Sequence, residues 1–378
     1  MKFVLAVLTV ALAAGGALAD LIDRFDTPLL RPFGQALARA VGRTLPVPAA
    51  SSGVRFTFNP ATSAFERETE ILGQLYLERA QPIGKNVLNV SFTYQWVKFD
   101  TFDGKDLNDL RDVGVPIVQP RGAGAGDQFQ IPRFDVGLVT NEMTTSATYG
   151  ITDDLEVNLT IPVLYTTLDV DPLLHNLTTG QTQTGSENGS ALGVGDIFLR
   201  AKYRLLRGSW GDVAAGLVFR LPSGNENNFQ GTGEFELSPM LYASTRSIEV
   251  APGMRLQGYV NAGLDFVPAD SSLSEGRYGI GLDCMLAERV TLSGAFLARN
   301  SFGRLVPPGT FDVPRANGTR TPLFGLNPGQ ENYYDVSVGG RVDLWHDRVF
   351  GLFNVIVPVN RDGVRSNVIP LVGLEATF

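Results

Sequence analysis

The chain closes on Asn367-Val-Ile-Pro-Leu-Val-Gly-Leu-Glu-Ala-Thr-Phe378. Side chains of an extended strand alternate between two faces. On that period Val368, Pro370, Val372, Leu374, Ala376 and Phe378 share one face, while Ile369, Leu371, Gly373, Glu375 and Thr377 share the other. One face is wholly apolar and the other carries a carboxylate and a hydroxyl. In a soluble protein such an apolar strand would be an exposed, aggregation-prone edge. In lipid every backbone donor and acceptor needs a partner inside the protein, so a spanning sheet closes on itself. The stretch therefore reads as the closing strand of a membrane barrel, with Asn86 to Phe99 as its partner.

The same alternation runs upstream. Leu88, Val90, Phe92, Tyr94 and Trp96 oppose Asn89, Ser91, Thr93 and Gln95. Leu155, Val157, Leu159, Ile161 and Val163 oppose Glu156, Asn158 and Thr160. The clearest case sets Ile197, Leu199, Ala201, Tyr203 and Leu205 against Asp196, Phe198, Arg200, Lys202 and Arg204. Short connections such as Thr152 to Asp154 and His346 to Arg348 alternate with long ones: Thr101 to Arg133, Asp171 to Gly195, Arg304 to Gln330. Outer-membrane barrels have short periplasmic turns and longer outer loops. The pattern predicts an all-β fold: a transmembrane antiparallel up-and-down β-barrel of about 12 strands over residues 86–378, with a short N-terminal plug-like segment. Tyr94, Trp96, Tyr149, Tyr165, Tyr203, Tyr278 and Tyr334 fall on the lipid face, where aromatic girdles belong.

Residues 1–19 read as a signal peptide, with Lys2, an apolar run from Phe3 to Ala14, and Ala17-Leu-Ala19 before Asp20. Residues 20–85 are shorter, irregular pieces. Leu30, Phe33, Leu37, Ala40 and Val41 recur at helical spacing before Gly42, and Val54, Phe56 and Phe58 alternate. This segment is expected to form a periplasmic piece or a plug inside the barrel.

With 31 Lys+Arg against 39 Asp+Glu, the net charge of −8 argues against a nucleic-acid partner. One cysteine, Cys284, excludes an internal disulfide, and two histidines leave little for a metal site or a His-based mechanism. No phosphate loop, dinucleotide fingerprint or zinc motif is present. The expectation is a protein with no enzymatic activity, no catalytic residues, no cofactor and no metal.

Function is expected on the polar, lumen-facing side. Its cations are Arg200, Lys202, Arg204, Arg220, Arg255, Arg277, Arg299 and Arg341. Its carboxylates include Glu142 and Glu156, and then Glu234, Glu236, Asp265, Asp283, Asp335, Asp343 and Glu375. Mixed signs fit a charge-lined pore and equally fit ion pairs that hold a plug. The outer loop from Leu305 to Gln330 mixes prolines with Val306, Phe311, Val313, Leu323, Phe324 and Leu326. It reads either as a hydrophobic capture surface or as a loop packed inward over the mouth. Asp103, Asp106, Asp109 and Asp112 recur every third residue, without the Asp-x-Asp-x-Asp-Gly pattern of a calcium loop, and read as a solvated acidic face.

Gly73-Gln-Leu-Tyr-Leu-Glu-Arg-Ala80, Ile83-Gly-Lys, Phe99-Asp-Thr-Phe-Asp-Gly104, Leu192-Gly-Val-Gly-Asp-Ile-Phe-Leu-Arg-Ala-Lys-Tyr203 and Phe219-Arg-Leu-Pro-Ser-Gly-Asn-Glu-Asn-Asn-Phe-Gln-Gly-Thr-Gly233 resemble bacterial outer-membrane barrels labelled as components of the phenol-degradation meta pathway. The resemblance covers most of residues 70–378. It implies a role near aromatic catabolism and a likeness to long-chain fatty acid and aromatic hydrocarbon transporters, which carry an N-terminal hatch. Those have fourteen strands where this chain has twelve, so no pocket residue transfers. The expected function is passive outer-membrane uptake of small hydrophobic or aromatic compounds. A general small-solute porin and a structural or sensory barrel with a blocked lumen are the alternatives. Expected partners are outer-membrane lipid and lipopolysaccharide, a small-molecule solute, and the outer-membrane assembly machinery, met through the final strand and Phe378.

Overall fold

The structure, a computed structural model, describes residues 20–25, 30–50, 56–59, 64–67, 71–73, 75–112, 117–118, 129–286, 289–315, 318–327 and 329–378. The expected leader over residues 1–19 lies outside them. Twelve strands form the barrel: β1 (Leu88–Phe99), β2 (Phe129–Gly150), β3 (Leu155–Asn176), β4 (Ile197–Arg207), β5 (Gly211–Leu221), β6 (Glu236–Thr245), β7 (Met254–Asp265), β8 (Glu275–Leu286), β9 (Val290–Arg304), β10 (Gln330–Trp345), β11 (Val349–Pro358) and β12 (Ile369–Thr377). Each pairs antiparallel with its neighbours and the sheet is closed. The seam runs from Leu371 opposite Gln95 to Thr377 opposite Asn89, so the final stretch meets the first strand.

The final strand behaves as its alternation dictates. Val372, Leu374 and Phe378 are exposed, whereas Ile369, Leu371, Glu375 and Thr377 are buried. Around the barrel the exposed set includes Met143, Leu241, Ile280, Val338 and Phe353, a belt suited to lipid. Tyr149, Tyr203, Trp210, Trp345 and Phe378 lie toward the side of the short turns, and Tyr94, Trp96 and Tyr165 toward the long loops. At about 3.3 Å per residue and a tilt near 40°, the span from Tyr149 to Asn141 rises roughly 20 Å, close to the ~25 Å apolar band of such barrels.

Above that belt the strands continue, and their alternation changes sense. Arg133 and Asp135 point outward as a 2.9 Å ion pair, while Phe134, Val136 and Leu138 are buried inside. Leu168 and Val170 point inward on β3. On β1, Val97 and Phe99 are buried inside while Lys98 pairs with Asp100. Below the girdle lipid covers the outer face, so apolar residues go out. Above it water covers that face, and they go in as in a soluble sheet. The loops expected over Thr101 to Arg133 and Asp171 to Gly195 are correspondingly shorter. β2 begins at Phe129, β3 runs to Asn176, and Glu187–Val194 pairs with β3 from Val170 to Val163.

The interior of this outer half is filled. A helix, α1 (Arg31–Thr44), starts with a proline in its first turn and buries Phe33, Leu37, Ala40 and Val41 completely. Their inward partners are Phe99, Phe102 and Phe134 of the wall and first loop, and Phe311, Val313, Leu323 and Phe324 of the Arg304–Gln330 loop. Phe33 lies 5.9 Å from Phe134 and 6.2 Å from Phe324 between ring centroids. Burying a side chain of this size stabilises by about 1.5–3 kcal/mol, so the cluster is a real core. The capture-surface reading of that loop fails: its apolar residues are packed inward on α1. The helix fits closely because it lacks side chains where it touches. A Cβ on Gly34 would come 2.5 Å from the Phe25 ring, and one on Gly42 would come 2.3 Å from the Gly231 carbonyl oxygen.

Phe56–Asn59 and Ala64–Arg67 form a separate hairpin, which includes part of the alternating stretch expected as a strand.

Candidate functional site: the space between plug and wall

After α1 the chain descends through the lumen in extended form as Leu45–Ala50, and returns as Leu75–Lys85 before entering β1. Such irregular backbone inside a membrane barrel needs partners. The polar wall supplies them. Gln95 Nε2 donates to the Pro46 carbonyl at 2.8 Å, Thr148 Oγ1 to Ala50 at 2.6 Å, and Arg200 Nη1 to Pro48 at 3.2 Å. Asn261 both accepts from the Glu78 N–H at 2.7 Å and donates to its carbonyl at 2.9 Å. Lys202 Nζ donates to the Arg79 carbonyl at 2.8 Å and pairs with Glu156 at 2.7 Å, whose other oxygen takes the Ile83 N–H at 2.6 Å. Of the two readings of the mixed charges, holding a plug is the one this half of the lumen displays.

The charges proposed from sequence fall into three groups. At the rim of short turns, Arg204 binds Asp154, Arg255 pairs with Glu249 at 3.2 Å, and Asp343 accepts the Asp347 N–H at 3.1 Å. These belong to turns and do not meet the cavity described below. Inside the wall below the cavity, Arg341 pairs with Glu375 at 2.8 Å, and Asn89 donates to the same carboxylate at 2.8 Å. Asp283 is fully buried near Arg79, Tyr259 and Ser293. The third group is at mid-barrel. Arg220 pairs with Asp196 at 2.8 Å and donates to the Gly42 carbonyl at 2.6 Å; Arg277 pairs with Asp265 at 2.7 Å; Arg299 pairs with Glu275 at 3.3 Å; Asp335 pairs with Arg365 at 2.9 Å. Glu234 lies in the outer loop before β6, whereas Glu236 is on the strand and faces inward.

This third group surrounds a cavity of about 170 Å³ between the plug and strands β4 to β12. Six guanidinium groups border it, from Arg43, Arg200, Arg220, Arg277, Arg299 and Arg365, against carboxylates from Glu78, Glu236 and Asp335 among the described residues. Tyr76, Phe198, Tyr242 and Tyr333 supply rings. Two of these rings are already covered by cations. The Arg200 and Arg220 guanidinium carbons stand 5.4 and 5.5 Å from the Phe198 centroid, and those of Arg299 and Arg365 stand 4.5 and 4.6 Å from that of Tyr333. Tyr242 lies flat on the wall because β5 offers no side chain there: a Cβ on Gly216 would meet its ring at 2.5 Å.

Three of the nine charged groups in this ring were not among the residues singled out from sequence. Arg43 and Glu78 belong to the plug segment and Arg365 to a connection, while Glu275, the partner of Arg299, is the first residue of β8. For Glu275 the signal was available, since it shares the parity of Arg277.

The Asp103 to Asp112 repeat is divided rather than uniformly solvated. Asp106 caps a short 3-10 turn through the Asn108 N–H at 2.9 Å, and Asp109 binds Arg111 at 3.0 Å. Asp103 accepts the Gly363 N–H at 3.1 Å, which offsets part of the rise that burial imposes on its carboxyl. Asp112 is buried, pairs with Arg315 at 2.7 Å and accepts the Phe324 N–H at 3.0 Å. No group of three potential metal ligands occurs among the described residues. No described helix is long and apolar enough to cross a membrane; the strands do that.

The fold and the filled lumen define a twelve-stranded transmembrane β-barrel with an N-terminal plug. No family model and no curated protein matches the chain. Among solved structures it is similar to an outer membrane channel from Pseudomonas putida F1, at 13% identity and a TM-score of 0.45, over 79% of this chain and 98% of that one. It is also similar to the CymD monoaromatic hydrocarbon channel (9%, TM-score 0.36, 78% and 90%) and to a Pseudomonas aeruginosa FadL homologue (11%, TM-score 0.31, 78% and 90%). The seam from β12 to β1 defines the fold independently of these likenesses.

Proposed function

We propose that the protein is an outer-membrane channel for passive uptake of small aromatic or otherwise hydrophobic compounds, serving cells that degrade them. The observation that carries this reading is the enclosed cavity between plug and wall, with Tyr76 and Tyr242 among its lining. A concave site that sets rings beside convergent polar groups is a usual form of small-molecule site, and this one is unusually rich in charge. Below it the plug is held by separate polar contacts from wall side chains, most of them neutral hydrogen bonds. Each neutral bond contributes only about 0.5–1.5 kcal/mol net and each to a charged group about 1.5–3 kcal/mol, so the contacts can exchange one at a time. Above it the seal is apolar and tight, which favours a second reading, a barrel with a permanently blocked lumen. A broad porin would require an open water path where α1 now lies.

Uptake of a radiolabelled aromatic such as toluene, at limiting concentration, separates these. Cells lacking the gene are expected to take it up several-fold more slowly than cells carrying it. Equal rates would overturn the uptake reading.

A further inference from the structure

We infer that the mid-barrel cavity binds an aromatic carboxylate, the anionic group meeting Arg200 and Arg277 and the ring lying against Tyr242. The inference rests on the channel reading and specifies, among its aromatic compounds, those that carry a carboxylate.

The charges around the cavity are not equally used. Arg43, Arg220, Arg299 and Arg365 are each engaged by a carboxylate or a carbonyl of plug or wall. Arg200 differs. It is enclosed at mid-barrel, yet among the described residues its hydrogen bonds go to the Pro48 carbonyl at 3.2 Å and to Thr160 Oγ1 at 3.5 Å. No carboxylate of the described residues lies within ion-pair distance of it. An enclosed cation hydrogen-bonded to neutral oxygens, with Glu78 acting on it only from beyond ion-pair distance, is stabilised by an anion in direct contact. Arg277 differs in another way. Its pairing with Asp265 at 2.7 Å uses one side of the guanidinium, while 46% of the side chain remains accessible, although the strand turns it inward. That accessible surface faces the cavity. Arg200 and Arg277 border the same cavity, with Glu78 of the plug on the same lining, and an anion between the two cations gives both a direct partner.

Guanidinium groups present paired N–H donors that match a carboxylate. Size and shape point to an aromatic rather than an aliphatic or larger acid. A cavity of about 150 Å³ accepts a benzene-sized molecule, and this one is about 170 Å³. Tyr242 lines the same cavity as the two arginines, so ring and charge sit together.

The test uses the purified full-length protein in detergent. Benzoate and its neutral analogue benzyl alcohol are titrated by ligand-observed NMR, against the unaltered chain, Arg200→Met and Arg277→Lys. Arg200→Met leaves no carboxylate unpaired, and Arg277→Lys keeps the charge beside Asp265, so both are expected to retain the heat-modifiable gel migration of the folded barrel. Benzoate is expected to bind at least tenfold more tightly than benzyl alcohol. Arg200→Met should weaken benzoate about tenfold while leaving benzyl alcohol unchanged, and Arg277→Lys should weaken it less. Equal affinity for the two compounds, no binding of benzoate, or an unaltered benzoate affinity in Arg200→Met overturns the inference. The channel reading is judged separately, by flux of benzyl alcohol into liposomes carrying the protein: flux without benzoate preference refutes the anion site alone, and absence of any flux refutes the channel.

Discussion

Replacing Asp112 by Ala is expected to loosen the outer mouth and to cost about 3–5 kcal/mol, the usual penalty for removing one partner of a buried ion pair. Asp112 and Arg315 side chains are 1% and 4% exposed, and they tie the first long loop to the Arg304–Gln330 loop. The carboxylate has a second task. Phe324 sits at φ +52°, a left-handed conformation that disfavours a bulky residue. Its N–H is held by Asp112, and its ring stacks on Phe134 at 5.4 Å. Removing the carboxylate therefore strands Arg315 and releases the strained turn together. Protease digestion of intact cells should cut this loop in Asp112→Ala far faster than in the unaltered protein, while the heat-modifiable band persists. A conservative Asp112→Asn exchange keeps an acceptor for the Phe324 N–H and should fall between the two. An Asp112→Ala loop as resistant as the original would mean the ion pair contributes nothing.

Removal of Phe378 is expected to lower the amount of assembled barrel in the membrane several-fold. Phe378 exchanges both backbone hydrogen bonds with Leu88, at 2.8 and 3.0 Å, at the short-turn end of the seam. Its ring is 68% exposed on the lipid face, so it contributes little to the interior. The loss should appear in assembly rather than in the behaviour of barrels already formed. Normal membrane levels of the shortened chain, measured by heat-modifiable migration in membrane fractions, would contradict this.

Much of the architecture could be read from alternation alone. Lipid rewards one face of every strand, so Val372 to Phe378 announced both the barrel and its closing partner. The helix of the plug was legible from Phe33, Leu37 and Val41. What alternation concealed is where lipid stops. From Arg133 to Leu138 the chain still alternates with period two, but polar residues now point outward. The inversion is visible only when Asp135 and Asp169 are set against the girdle formed by Tyr94 and Tyr165. The same blind spot hid the fate of Phe311, Leu323 and Phe324, whose burial depends on α1, more than 250 positions earlier in the chain. Two thirds of the cavity's charged groups were legible. Arg200, Arg220, Arg277, Arg299 and Asp335 are on wall strands, and parity placed them inside. Arg43, Glu78 and Arg365 come from segments with no parity, and only the fold brings them to the ring.

That ring gives the account its mechanical core: a barrel whose outer half is sealed by an apolar helix and whose inner half is filled by polar, exchangeable contacts. Single-channel recording in planar bilayers, comparing the full chain with one lacking residues 20–50, tests it most directly. The full chain is expected to give small, infrequent conductance steps, and the shortened one large, long-lived steps once α1 and the Leu45–Ala50 segment are gone. Equal conductance of the two proteins, with both folded as barrels, would contradict it.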